Sequence, residues 1–255
     1  MPTSSFLKPV GALPVISSVR FALILSVSLL LSVGTATASL ALTHVTVIDA
    51  TDGPPRTDCT VLIDGDRIAS VSKTAPSGDA RVIEARGKFL IPGLCDMHVH
   101  LAGVSADPKW SKETLLPLLV AHGVTTVRDM GGDLATLQSW RKQIRAGTLV
   151  GPMVGPRLYF SGPMLDGGKS QPPDLIAIST PNEGRAAVRD LKAKGADFIK
   201  VLSRLDRASY FTIAEESKKE GVTFVGHVPQ RARRAHRFAC GTKKHRAYFL
   251  QQPHL

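Results

Sequence analysis

Apolar and polar positions alternate in short runs along residues 40–85. LTHVTVIDA, TVLIDGDRIASVS and RVIEA each mix β-branched residues with a period of two, the signature of strands. DGPPRTD between the first two is a Gly/Pro turn cluster, and the Asp-Gly of IDGDRI marks a tight hairpin. The segment reads as a small antiparallel sheet. After Gly87 the period switches back and forth. FLIPGLCDMHVHL reads as a strand followed by a loop, TLLPLLVAHG as a helix ending at Gly123, and VTTVRDMGG as a second strand. DLATLQSWRKQIRAG is an amphipathic helix with Leu134, Leu137 and Ile144 on one face, and GPRLYFSG is a third strand. EGRAAVRDLKAKG and RASYFTIAEESKKEG then read as helices, with ADFIKVL and VTFVGHVP as the fourth and fifth strands.

Regular alternation of strand and helix predicts an α/β fold with a parallel sheet. Chemistry-bearing residues at the strand C-termini suggest an incomplete (β/α) TIM-type barrel, with about five of the eight strands a closed barrel needs. A five-stranded open sheet is the alternative that the pattern leaves standing. A flavodoxin-like sheet is disfavoured because no glycine-rich phosphate loop follows the first strand.

A chain of 255 residues with 43% hydrophobic composition can bury one large core or two modest ones. The formal charge of +11 invites a nucleic-acid partner, but its distribution argues against one. Arg231, Arg233, Arg234, Arg237, Lys243, Lys244 and Arg246 crowd the last 26 residues, which hold no acidic residue. The main body is nearly neutral, so no nucleic-acid partner is expected. Cys59, Cys95 and Cys240 are too few and too scattered for a disulfide framework, and Cys59 and Cys95 read as core residues. Lys8 and Arg20 precede the apolar run FALILSVSLLLSV, and Ala36-Thr37-Ala38 offers an A-x-A cleavage site. Residues 1–38 therefore read as an export signal, with an uncleaved anchor as the alternative. The run is shorter than the roughly 20 residues a membrane-spanning helix needs. The remainder is expected to be periplasmic or secreted, without stable membrane insertion once the signal is cleaved.

Side chains at i and i+2 of a strand share a face, so His98 and His100 of MHVHL project together and offer two nitrogens to a transition metal. Asp96 lies two residues back on the same face, placed to support a metal ligand. Lys200 sits in DFIKVL between residues that predict a buried strand, where an isolated ammonium is costly. A lysine snorkelling from the strand end is the ordinary explanation if it stands alone. His227 of VTFVGHVP again ends a strand. Three such positions on strands one, four and five describe a pocket.

PGLCDMHVHL resembles the first barrel strand of the amidohydrolase superfamily. VTVIDATDGPPRTDCTVLIDGDRIASV followed by GKFLIPG resembles that superfamily's N-terminal β-sandwich half. TTVRDMGG, GPRLYFSGP, ADFIKVL and FVGHVP are similar to the imidazolonepropionase-related and Xaa-Pro dipeptidase (prolidase-like) branch. The resemblance implies a β-sandwich segment at 39–87, a partial barrel at 88–230 and a basic tail at 231–255. It also implies two zinc ions, with manganese or cobalt as alternatives. His98 and His100 would bind one ion, a carboxylated Lys200 would bridge both, and His227 would bind the second. The implied reaction is hydrolysis of amide or peptide C–N bonds in a dipeptide or another small-molecule substrate, such as a cyclic amide.

A strand-six histidine and a strand-eight aspartate, the family's general base, are not visible, so no catalytic base is assigned. Residues 231–255 lose all strand and helix period. Back-translated and read one nucleotide later, GTKKHRAYF permits GQKSIEHIF, which resembles the family's strand-six phrase. A frame change between about residues 230 and 240 is therefore expected, with His236, His245 and His254 as accidents of it. The chain so read is catalytically inert. The competing reading from another class is an exported, non-catalytic binding protein whose basic tail contacts polyanions.

Overall fold

A computed structural model describes residues 39–76, 78–103, 106–146, 153–168 and 174–229. The expected export signal, the basic tail and its frame change lie outside the described residues. The chain divides into two compact units, Met1–Pro92 and Gly93–Leu255.

In the first unit, β1 (Leu40–Val47), β2 (Arg56–Asp64) and β3 (Arg67–Ser72) form an antiparallel meander. Its hairpin turns where IDGDRI placed it, with Asp64 opposite Arg67 and Gly65 at φ +58°. The sheet as a whole is mixed, not antiparallel. Both β4 (Arg81–Glu84) and β5 (Phe89–Leu90) pair parallel to β1. The reason lies in which edges remain open. Because β2 is flanked by β1 and β3, the following chain crosses to the far edge of β1, and a crossing without reversal sets it parallel. Val45, Val47, Cys59, Val61 and Ala85 form the unit's core, so Cys59 is buried as expected.

FLIPGLCDMHVHL is two strands, not one. β5 belongs to the first unit, while β6 (Leu94–Val99) opens the second. Pro92 has no N–H to donate to a ladder, and a side chain at Gly93 would collide with Thr125, so the chain breaks between the two strands.

The second unit holds the five expected parallel strands in chain order: β6, β7 (Val124–Asp129) and β8 (Arg157–Phe160) in one sheet, with β11 (Phe198–Val201) and β12 (Thr223–Gly226) in another. Two further short strands, β9 (Met164–Asp166) and β10 (Leu175–Ala177), extend the second sheet beside β11. Asp197 links the two sheets. Its backbone N–H donates to the Phe160 carbonyl at 2.9 Å, and its carboxylate accepts the Phe160 N–H at 2.9 Å. Arg141 grips the same carboxylate at 2.8 and 2.9 Å and lies 4.0 Å from the centroid of the Phe160 ring.

Helices alternate with these strands. The first, α1, comprises Pro108–Trp110, a π turn Ser111–Leu115, and Leu116–Ala121. Pro117 has no N–H for the α-helical ladder, which accounts for the wider turn before it. Asp107 caps its start, and Gly123 at φ +81° follows its end, as TLLPLLVAHG anticipated. Next come α2 (Leu134–Ala146), α3 (Pro181–Ala193), with a Thr180–Glu183 capping box, and α4 (Arg207–Lys219), capped by Asp206. Leu137 and Trp140 of α2 are buried against Val127, Leu158 and Phe160, with Leu134 and Ile144 packed at the margin. Val188 and Leu191 of α3 and Ile213 of α4 bury Ile199 and Val201. The parallel α/β expectation therefore holds for this unit.

Cys95 is exposed, not a core residue, and its thiol lies against the Met97 sulfur at 3.2 Å. Among the described residues β6 pairs with β7 alone, which leaves Leu94 and Met97 exposed as well. No helix of the described residues is long and apolar enough to cross a membrane.

Candidate metal centre

Strand alternation turns each candidate ligand away from the helix-side core of its own sheet. Leu101 is buried in the helix-side core and Val99 packs against it, so His98 and His100 turn to the opposite face. Their ring centroids are 5.3 Å apart. On β11, Ile199 and Val201 are both fully buried against the helices, and Lys200 between them takes the other face, with 3% of its surface exposed. Lys200 stands in register with Val225 of β12, two residues before His227. Phe224 packs on the helix side, so Val225 and His227 follow Lys200. The His227 N–H donates to the Val201 carbonyl at 3.0 Å and ties the end of β12 to β11.

Electrostatics show that these groups share a neighbourhood. Burial lowers the pKa of His98, and the charges of Lys200, His100, Arg128 and His227 lower it further. Burial and then Lys200 lower that of His227. Lys200 itself is pushed down by burial first and Arg128 second. Burial first and neighbouring positive charge second therefore disfavour protonation of His98 and His227. Among the described residues Lys200 forms no ion pair.

Each histidine is anchored. His98 donates its backbone N–H to Asp96 Oδ1 at 3.0 Å. His100 Nδ1 lies 3.0 Å from the Gly131 carbonyl, which can only accept, so Nδ1 carries the proton and Nε2 is left with its lone pair. His227 Nδ1 lies 2.8 Å from Ser203 Oγ. The four residues singled out in the sequence thus lie at the C-terminal ends of β6, β11 and β12, each turned away from the helix-side core of its own sheet. No three His, Cys, Asp or Glu side chains among the described residues cluster tightly enough to hold an ion by themselves. The set depends on Lys200.

Two buried carboxylates nearby were not legible in the sequence. Asp129, fully buried at the end of β7, accepts from Leu101 N at 2.6 Å and Gly131 N at 3.0 Å. Burial raises its pKa to about 6 against the pull of those two bonds. Asp166 of β9, also buried, accepts from the backbone N and Nε of Arg204, both at 2.7 Å. The signal for Asp129 was an acid closing an apolar strand in VTTVRD; Asp166 lay in a segment assigned no element. Arg128 donates from Nε to the Met97 carbonyl at 2.8 Å, and its guanidinium lies 5.5 Å from the Phe198 ring centroid.

Comparison with known proteins bears on the fold and the family. A putative prolidase from Bifidobacterium longum superposes with a TM-score of 0.63 at 27% identity, covering 78% of this chain and 52% of that one. A Xaa-Pro dipeptidase with bound methionine superposes at 0.60 and 22% identity, over 78% of this chain and 60% of that one, which speaks to the fold alone. The dihydroorotase of Streptococcus thermophilus is 35% identical over 81 residues, which cover 32% of this chain and 19% of the enzyme. The chain therefore spans about a fifth of the length of the curated relatives it matches and little more than half of these solved structures. Residues 89–233, more than half of the chain and all of the candidate centre, match the amidohydrolase family, and the chain belongs to that family.

Proposed function

We propose that this chain carries the metal-binding half of a hydrolase that cleaves amide C–N bonds in dipeptides or cyclic amides. One observation carries the reading: a buried Lys200, without an ion pair among the described residues, whose charge bears on both His98 and His227. A buried ammonium without a counter-charge is unfavourable, and burial favours loss of its proton; the neutral amine can then add carbon dioxide, releasing a second proton and leaving a carbamate anion that bound cations would stabilise. The donor set fits such a centre. His98 and His100 would hold one ion through Nε2, His227 would hold a second, and the Lys200 carbamate would bridge them. Zinc, manganese or cobalt bound there would supply a Lewis acid that polarises the substrate carbonyl and lowers the pKa of water. Burial, with the neighbouring positive charges, disfavours protonation of His98 and His227, which favours metal binding there.

The names of the relatives support the bond class. The putative prolidase, at 27% identity, and the dihydroorotase, at 35% over 81 residues, are the relatives that carry this support. The proposal extends to a (β/α) barrel lineage for the second unit and a β-sandwich lineage for the first. It also keeps the expectation of poor turnover. Both oxygens of Asp129 and of Asp166 are committed to N–H donors, which disfavours either as the proton acceptor for an attacking water.

Titration of the purified chain with cobalt(II) in bicarbonate buffer tests the reading. Stoichiometric binding with a visible d–d spectrum, abolished by His98→Ala, is expected. Absence of binding, or binding unaffected by His98→Ala, would reject it. Dipeptide hydrolysis in the same preparations tests the second part, and robust turnover would overturn the inert expectation.

A further inference from the structure

Each of two site imidazoles has an Nδ1 partner on a neighbouring loop, and each of those loops is held by a buried carboxylate. His100 Nδ1 meets the carbonyl of Gly131, whose N–H donates to Asp129. The other oxygen of Asp129 takes the N–H of Leu101, the residue after His100. One side chain therefore grips both ends of the His100 contact. His227 Nδ1 meets Ser203 Oγ, and the next residue, Arg204, gives both its backbone N–H and its Nε to Asp166. The same loop is stitched to β9 by Leu202 N donating to the Leu165 carbonyl at 2.9 Å.

Gly131 adds an independent constraint on the first clamp. It sits at φ +154°, and a side chain there would run into Met164. Its carbonyl is thus fixed by backbone shape as well as by Asp129.

From this repeated pattern we infer that Asp129 and Asp166 are positioning residues: they preset His100 and His227, respectively, as Nδ1-engaged imidazoles with Nε2 presented to a metal. The inference rests on the metal-centre reading above. It assigns β9, which the strand pattern did not reveal, the task of holding the Ser203 loop. Buried partners of this kind fix tautomer and ring orientation, and their loss typically weakens metal binding by about 10- to 100-fold.

The test uses the full chain and two readouts. Imidazole ¹⁵N shifts of the metal-free protein report the tautomer of each histidine, and cobalt(II) titration reports affinity. In the wild type His100 is expected as a single Nδ1–H tautomer, because the Gly131 carbonyl can only accept, and His227 as a single tautomer selected by the Ser203 hydroxyl at its Nδ1. Asp129→Asn should produce a tautomer mixture at His100 and leave His227 unchanged; Asp166→Asn and Ser203→Ala should do the reverse. Each should weaken cobalt binding by about 10- to 100-fold. General destabilisation would disturb both histidines, so the selectivity separates positioning from mere folding. If Asp129→Asn does not fold, Asp166→Asn and Ser203→Ala carry the test at His227, with His100 as the unchanged internal control. Unchanged tautomers in the variants, or equal effects at both histidines, would overturn the inference. A wild type that binds no cobalt but shows the selective tautomer changes would reject the metal reading and uphold the positioning roles.

Discussion

Removing the Asp197 carboxylate opens the link between the two parallel sheets. The Phe160 N–H that it accepts belongs to a fully buried residue, and its partner Arg141 is only partly exposed, with the side chains of Arg141 and Asp197 at 19% and 27%. Asp197→Ala leaves a buried backbone donor unsatisfied, which costs about 1–3 kcal/mol. It also frees Arg141 from a bidentate pair and loosens its stacking on Phe160, worth about 1 kcal/mol more at this exposure. Together these destabilise the unit by about 3 kcal/mol, or a fall of about 6–12 °C in Tm at this chain length. Asp197→Asn retains one acceptor for Phe160 N–H and should cost less than half as much. Urea unfolding followed by tryptophan fluorescence reads the change through Trp140, which lies in the core that the link closes. Asp66→Ala, at a side chain 96% exposed, is the control and should fall within about 0.5 kcal/mol of wild type. An Asp197→Ala midpoint indistinguishable from that control would refute the reasoning. So would additive effects of Arg141→Ala and Asp197→Ala in a double-mutant cycle.

The remaining predictions concern a helix cap and the buried amine. Asp206 accepts the Ser209 N–H at the start of α4, and Ser209, through its side chain first and this N–H second, lowers the carboxyl's pKa. A depressed carboxylate contributes stability above its unfolded pKa and loses it as pH falls through the folded value. Asp206→Ala should therefore cost about 1 kcal/mol at pH 7 and less once both states are protonated, whereas Asp206→Asn should keep the cap at both pH values; urea midpoints at pH 7 and pH 3 check this. Lys200 is depressed by burial, so its charged form destabilises the metal-free fold at all pH values below its unfolded pKa. Lys200→Met should raise the urea midpoint of the metal-free chain while abolishing cobalt binding, and an unchanged or lower midpoint would show that the ammonium is already compensated.

The five parallel strands and four helical stretches of the second unit were legible because each carries its own period and a glycine or proline punctuates its end. The strand-end positions of His98, His100, Lys200 and His227 were legible from the same pattern, and period-two alternation put His98 and His100 on one face. What failed was information carried by partners distant in sequence. The parallel placement of β4 and β5 depends on which edge of β1 remains open, not on RVIEA or FL themselves. Cys95 was misread as core because its alternation is strand-like, while its burial depends on a second neighbour that β6 does not have among the described residues. β9 is three residues long, too short to show any period, and it earns its place through Asp166 and Arg204. Asp129 could be seen as an acid in an apolar strand, but its backbone partners at Leu101 and Gly131 appear only in three dimensions.

The account stands most directly on the chemical state of Lys200. Incubating the metal-loaded chain with ¹³C-bicarbonate and recording ¹³C spectra should give one carbamate resonance that is absent from Lys200→Ala and lost when a chelator strips the metal. A Lys200 that remains an unmodified amine in the presence of metal and bicarbonate would contradict it.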